Sequence, residues 1–80
     1  MVIIGQRIFP RSEFDVLLGK RLARARGLVR MTQEEAAKRI GVRSDTLAKW
    51  EMGVRRPGLE KLRKLARIYG VDGVFLMGDS

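Results

Sequence analysis

Eighty residues carrying 17 basic and 9 acidic side chains, formal charge +8, make one small domain whose field attracts polyanions. Without a single cysteine or histidine, the chain has no disulfide, no thiolate or imidazole metal site and no imidazole general base, so neither a metal nor another cofactor is expected. It also lacks a phosphate-cradling glycine loop and a convincing carboxylate pair, which argues against an enzyme.

The elements follow in chain order. Residues 1–11 form an arm: Val2, Ile3, Ile4, Ile8 and Phe9 are β-formers, interrupted by Gly5 and ended by Pro10, so an extended or strand-forming segment is expected. The domain proper spans 12–80. A first helix is expected from Ser12, a cap with Asp15 three residues on, to about Arg26, with Phe14, Leu17, Leu18, Leu22 and Ala25 buried and Gly27 as its end. A second covers about Gln33–Ile40 and a third about Ser44–Met52. A basic loop stiffened by Pro57 leads to a fourth over about Leu59–Tyr69, its inward residues being Leu59, Leu62, Leu65, Ala66 and Tyr69. Asp72 caps a short fifth helix holding Val74, Phe75, Leu76 and Met77. The glycines fit helix ends and turns. The sum is an all-α, compact five-helix domain with an extended N-terminal arm. No run reaches the ~20 apolar residues of a membrane span, and Val2–Ile4 is too short for a signal-peptide core, so a cytoplasmic protein is expected.

Met31 to Pro57, MTQEEAAKRIGVRSDTLAKWEMGVRRP, is the most informative stretch. Thr32 and Glu35 have the spacing of a capping box. Ala36, Ala37 and Ile40 share one face. Gly41 allows a left-handed residue at the helix end without steric cost, and so a sharp turn. Ala37 is small enough for another helix to cross closely. Leu47 and Trp50, three residues apart, then turn the third helix's apolar side inward, which leaves Ser44, Asp45, Ala48 and Lys49 pointing elsewhere. This is a helix-turn-helix over about 32–52, a device that presents its second helix to the DNA major groove.

Thr32, Gln33, Glu35, Ala37, Gly41, Val42, Thr46, Leu47, Trp50, Glu51, Gly53, Pro57, Leu59, Leu62, Leu65, Ala66 and Gly70–Val71, across roughly Phe14 to Gly78, resemble the lambda-repressor-like helix-turn-helix family of phage repressors, Cro proteins and related bacterial regulators. The resemblance implies that Ser44, Asp45 and Lys49 read base edges. Lys49 can donate to guanine O6 or N7, and Asp45 can accept from cytosine N4. A plainer reading stays open for each: Lys49 reaches only a phosphate, and Ser44 or Asp45 caps the third helix, because Arg43 stands where the family usually places a cap. Phosphate contacts are expected from Gln33 at the start of the second helix, from Arg43 in the turn and from Arg55 and Arg56 after the third helix. Lys38 is a further candidate, with a solvated surface charge as its equally open plainer reading. The resemblance further implies a structural ion pair between Arg26 and Glu51. Trp50 is read as core rather than as a base-stacking residue.

One recognition helix reads about 4–6 base pairs, and proteins of this shape gain specificity by pairing two half-sites one DNA turn apart, which favours a homodimer. Two surfaces are candidates: Val74, Phe75 and Met77 of the fifth helix, implied by the resemblance, and the arm with Ile3, Ile4, Ile8 and Phe9, which either pairs with a second copy or folds over its own core. The expected function is sequence-specific binding of double-stranded DNA as a transcriptional regulator, most simply a repressor on a palindromic operator. The competing reading is a protein-binding adaptor or antitoxin-like component whose main partner is another protein.

Overall fold

A computed structural model of the chain describes residues 12–77. Among them are five helices and no strand: α1 (Glu13–Leu28), α2 (Gln33–Ile40), α3 (Ser44–Met52), α4 (Leu59–Tyr69) and α5 (Gly73–Met77). The expectations placed on residues 1–11, including the strand-forming arm and the dimer candidates Ile3, Ile4, Ile8 and Phe9, lie outside the described residues, as does the side chain of Met77.

The helix starts are set by side chains that satisfy otherwise unpaired N–H groups. The Ser12 hydroxyl accepts from the Asp15 N–H at 3.1 Å, and an Asp72 carboxylate oxygen accepts from the Phe75 N–H at 3.0 Å. At α2 the capping box is complete: Thr32 Oγ1 accepts from the Glu35 N–H at 3.0 Å, and Glu35 Oε1 accepts from the Thr32 N–H at 2.8 Å. α3 differs. Its cap position is Arg43, which makes no side-chain cap bond, and Ser44 is already the first helical residue, so Ser44 does not cap the helix.

The end of α1 also departs from expectation. The helix runs through Gly27, and the left-handed residue that closes it is Arg30, at φ +60°. The Arg30 N–H donates to Gly27 O at 3.0 Å and the Met31 N–H to Arg26 O at 3.2 Å, the paired bonds of a Schellman motif. Gly27 has open space around it and ordinary helical backbone. It ends nothing because the terminating bonds are set three residues later.

The core is assembled from every helix: Leu18, Leu22 and Ala25 of α1, Ala36, Ala37 and Ile40 of α2, Leu47 and Trp50 of α3, Leu65 and Tyr69 of α4, and Leu76 of α5. α1 packs on α3, α4 and α5, while α2 packs on α3 and α4. Two apolar residues expected inside are not: Leu17 is 41% and Leu59 66% exposed. Each sits at the edge of its helix's apolar stripe, and the neighbouring helices cover only the centre of that stripe.

Two glycines set how closely α1 and α3 approach. Gly19, in the middle of α1, lies against the backbone carbonyls of Trp50 and Glu51, and a Cβ there would overlap them. Gly53 combines φ +80° with a site where a Cβ would come within 2.9 Å of Val16 Cα. The close α1–α3 crossing therefore depends on missing side chains at Gly19 within α1 and at Gly53, the residue that closes α3.

Candidate nucleic-acid interface

The turn between α2 and α3 is built by Gly41, at φ +79°, and by the Val42 N–H donating back to Ala37 O at 2.9 Å. α3 leaves this turn with Leu47 and Trp50 buried. The opposite stripe is open: Asp45 and Met52 are exposed, and Ser44, Ala48 and Lys49 are half-buried. Met52, 54% exposed, extends the stripe and was not among the expected site residues. Its signal in the sequence is its position three residues past Lys49, on the side away from Trp50.

The inner end of α3 is held by a polar cluster. Arg26 Nε donates to Glu51 Oε2 at 2.7 Å and Arg26 Nη2 to Glu51 Oε1 at 3.0 Å. Arg26 Nη1 donates to Met31 O at 2.9 Å, and Gln33 Nε2 donates to Glu51 Oε1 at 2.8 Å. One carboxylate thus ties α1, α2 and α3 together. The hydrogen bond to Glu51 raises the Arg26 pKa above its ordinary value against the lowering effect of burial. Tyr69 packs nearby, and its pKa is pushed up to about 12, chiefly by burial and secondarily by the Glu51 charge.

The expected phosphate residues fall into different situations. One N–H of the Gln33 side-chain amide donates to Glu51, which leaves its second amide N–H and its backbone N–H for an external acceptor. The capping box uses the N–H groups of Thr32 and Glu35, which leaves those of Gln33 and Glu34 for an acceptor at this helix N-terminus. Gln33, Glu34, Thr32, Arg26 and Ser44 line one open recess of about 470 Å³, bringing the starts of α2 and α3 together, although the Glu34 carboxylate there opposes an anion. Arg43 is exposed and its Nε donates to Asp45 Oδ1 at 3.3 Å. Lys38 and Arg55 are exposed. Arg56 is tied: its Nε donates to a carboxylate oxygen of Asp15, a residue 2% exposed, and its guanidinium lies 5.0 Å from the centroid of the Phe14 ring. Its role in fixing the loop after α3 had no local signal, because Asp15 and Arg56 are far apart in sequence. In α5, Val74 is 63% exposed and Phe75 half-buried.

Comparison with known proteins agrees with this geometry. A helix-turn-helix family model matches residues 22–76. The chain is 38% identical over 61 residues to the HTH-type transcriptional regulator ImmR of Bacillus subtilis (strain 168), covering 76% of this chain and 48% of that protein. It is 44% identical over 50 residues to the cryptic phage CTXphi transcriptional repressor RstR of Vibrio cholerae, covering 62% of this chain and 45% of RstR. The chain therefore spans about half the length of these two relatives. Among solved structures, the restriction-modification controller protein C.AhdI from Aeromonas hydrophila superposes with a TM-score of 0.71 at 28% identity, over 76% of this chain and 88% of that one. None of the helices among the described residues is long and apolar enough to cross a membrane. With a matched α2–α3 hairpin, a buried Leu47–Trp50 face and relatives that are transcriptional regulators, the chain belongs to the helix-turn-helix family.

Proposed function

We propose that this chain is a repressor that binds a palindromic operator in double-stranded DNA as a homodimer, with α3 of each copy in the major groove. The observation that carries this reading is the two-sidedness of α3: Leu47 and Trp50 are buried, while on the opposite side Asp45 and Met52 are exposed and Lys49 is half-buried between them. In this reading Lys49 donates to guanine O6 or N7, Asp45 accepts from cytosine N4, Ser44 contacts the base edge nearest the turn, and Met52 offers an apolar contact. Arg43, Arg55, Lys38 and the backbone N–H groups of Gln33 and Glu34 hold phosphates. Arg56 acts mainly by fixing the loop that carries Arg55, with its half-exposed guanidinium edge left for a phosphate. The repressor assignment is supported by the likeness to RstR. The dimer assignment rests on the shortness of a single readout and on the exposed Val74 of α5.

Selection of bound sites from a random duplex pool tests this reading. The expected product is a two-fold symmetric motif with half-sites about 10 base pairs apart. Titration of that site at several salt concentrations should give a log–log slope of about −4 to −5 per half-site, for roughly 4–6 neutralised phosphates. An unstructured selection product with a flat salt response would refute it.

A further inference from the structure

The chain carries a second basic surface that the DNA reading does not use. A groove of about 400 Å³ runs between α4 and α5. Its walls are Leu59, Leu62, Ala66 and Leu76, and its flanks are Arg63 and Arg67. Leu59 stands at its mouth, 66% exposed. The two arginines are one helical turn apart, so they share a face of α4.

The other cations of α4 are occupied. Lys61 Nζ donates to Ile40 O at 3.5 Å, and Lys64 lies 3.9 Å from Glu60 in an i,i+4 pair. Arg63 and Arg67 have no ion-pair partner among the described residues, and the groove lining contains no carboxylate. From this juxtaposition we infer that the α4–α5 groove is a docking site for an amphipathic helix of another protein, one whose aliphatic stripe is bordered by Asp or Glu.

Charge complementarity selects this occupant. A second copy of the chain seated isologously on the groove would press one arginine-flanked patch against an identical one, with no carboxylate in either lining. The nearest acids do not relieve that: Asp72 is engaged at the α5 cap and Glu60 is paired with Lys64. The arm is a poor occupant as well, since its charged side chains, Arg7 and Arg11, are both basic. Duplex DNA would present phosphates to an apolar floor. A helix with leucines toward the groove and carboxylates at its border satisfies both the floor and the flanks, the mode by which grooves hold amphipathic helices.

The probe is a short acetylated helical peptide with leucines along one face and glutamates beside them, titrated into the isotopically labelled full chain and followed by NMR. The control peptide has lysine for every glutamate. Amide shifts are expected at Leu62, Ala66 and Leu76, with at least about tenfold weaker binding for the lysine peptide and for the double variant R63E/R67E, a loss of about 1.4 kcal/mol or more. Both arginines are exposed, so the double variant should keep its helical circular dichroism. It should also keep its salt slope on duplex DNA, which separates this groove from the α3 surface. Four results would overturn the inference: no binding, equal binding of the lysine peptide, shifts centred on α3, or concentration-dependent shifts at the groove in the chain alone that mark it as a self-association surface.

Discussion

The two ends of α3 carry the same chemical pair in opposite settings. At its start, Asp45 meets Arg43 at 3.3 Å with side-chain exposures of 60% and 86%. Near its end, Glu51 meets Arg26 at 2.7 Å with exposures of 7% and 20%. The exposed pair is worth about 0–1 kcal/mol and can be exchanged for another partner at little cost. The enclosed pair, doubly bonded and completed by Gln33, cannot be opened without leaving a charge out of water. One end of the helix is therefore fixed to α1 and α2, and the other keeps a charge pair that a ligand can reorganise. A reading helix needs both: a seat that sets its angle and side chains that can trade partners.

The largest expected effect tests the seat. Glu51→Ala leaves the half-buried guanidinium of Arg26 without its carboxylate and should cost about 3 kcal/mol, the low end for an enclosed pair, read from urea unfolding. Asp45→Ala in the same assay should change stability by no more than about 1 kcal/mol. Equal losses in the two variants would erase the distinction between the ends.

The next effect sharpens the contrast through pH. Tyr69 is buried beside the Arg26–Glu51 cluster, its hydroxyl has no hydrogen-bond partner among the described residues, and its pKa rises to about 12 from an ordinary 10. The unfolded chain releases that proton first as pH rises, so the contribution is fully present below pH 10 and lost progressively toward pH 12. The shift corresponds to about 3 kcal/mol. Because other groups also titrate there, the comparison is with Tyr69→Phe, whose stability should fall less over the same interval. Parallel curves for the two proteins would remove the phenol from the account.

A smaller effect belongs to the open stripe. Lys49→Ala should weaken binding to a selected duplex by about 1–3 kcal/mol and relax preference at one base position. Its urea midpoint should stay unchanged. If Lys49 contacts only a phosphate, the loss will instead be uniform across sequences, with a salt slope shallower by about 1. That outcome would move base readout toward Ser44, Asp45 and Met52.

What was legible in the sequence follows the range of the interactions. The capping box at Thr32 and Glu35, the left-handed Gly41 and the spacing of Leu47 and Trp50 are local patterns, and they place α2, the turn and α3. Features decided by distant neighbours were not legible. Gly19 is required by the backbone of Glu51, which no window around Gly19 contains, so it passed for a helix-end or turn glycine. Asp15 looked like part of a capping pattern, and its partner Arg56 looked free for a phosphate, because their contact spans most of the domain. Leu17 and Leu59 have the periodicity of core residues but lie at stripe edges that no helix covers. Periodicity identifies a face; tertiary packing decides how wide that face is.

The smallest effect concerns the turn that serves the fixed end. Arg30 holds φ +60°, a conformation that is strained for a residue with a Cβ. The turn carries Met31 to where its carbonyl accepts from Arg26 Nη1 at 2.9 Å, and so helps orient the guanidinium that grips Glu51. Glycine adopts this backbone without the steric cost, although it loses more freedom on folding. Arg30→Gly should therefore raise stability by about 0.5–1 kcal/mol, visible as a higher urea midpoint with an unchanged slope. Retaining an arginine at such a position gains meaning if its charge is used. Binding of Arg30→Gly to the selected duplex then divides the cases. Lower affinity with a shallower salt slope would make Arg30 a phosphate contact at the α1–α2 turn. Unchanged affinity would make it a residue whose backbone supports α3 while its side chain stays in solvent.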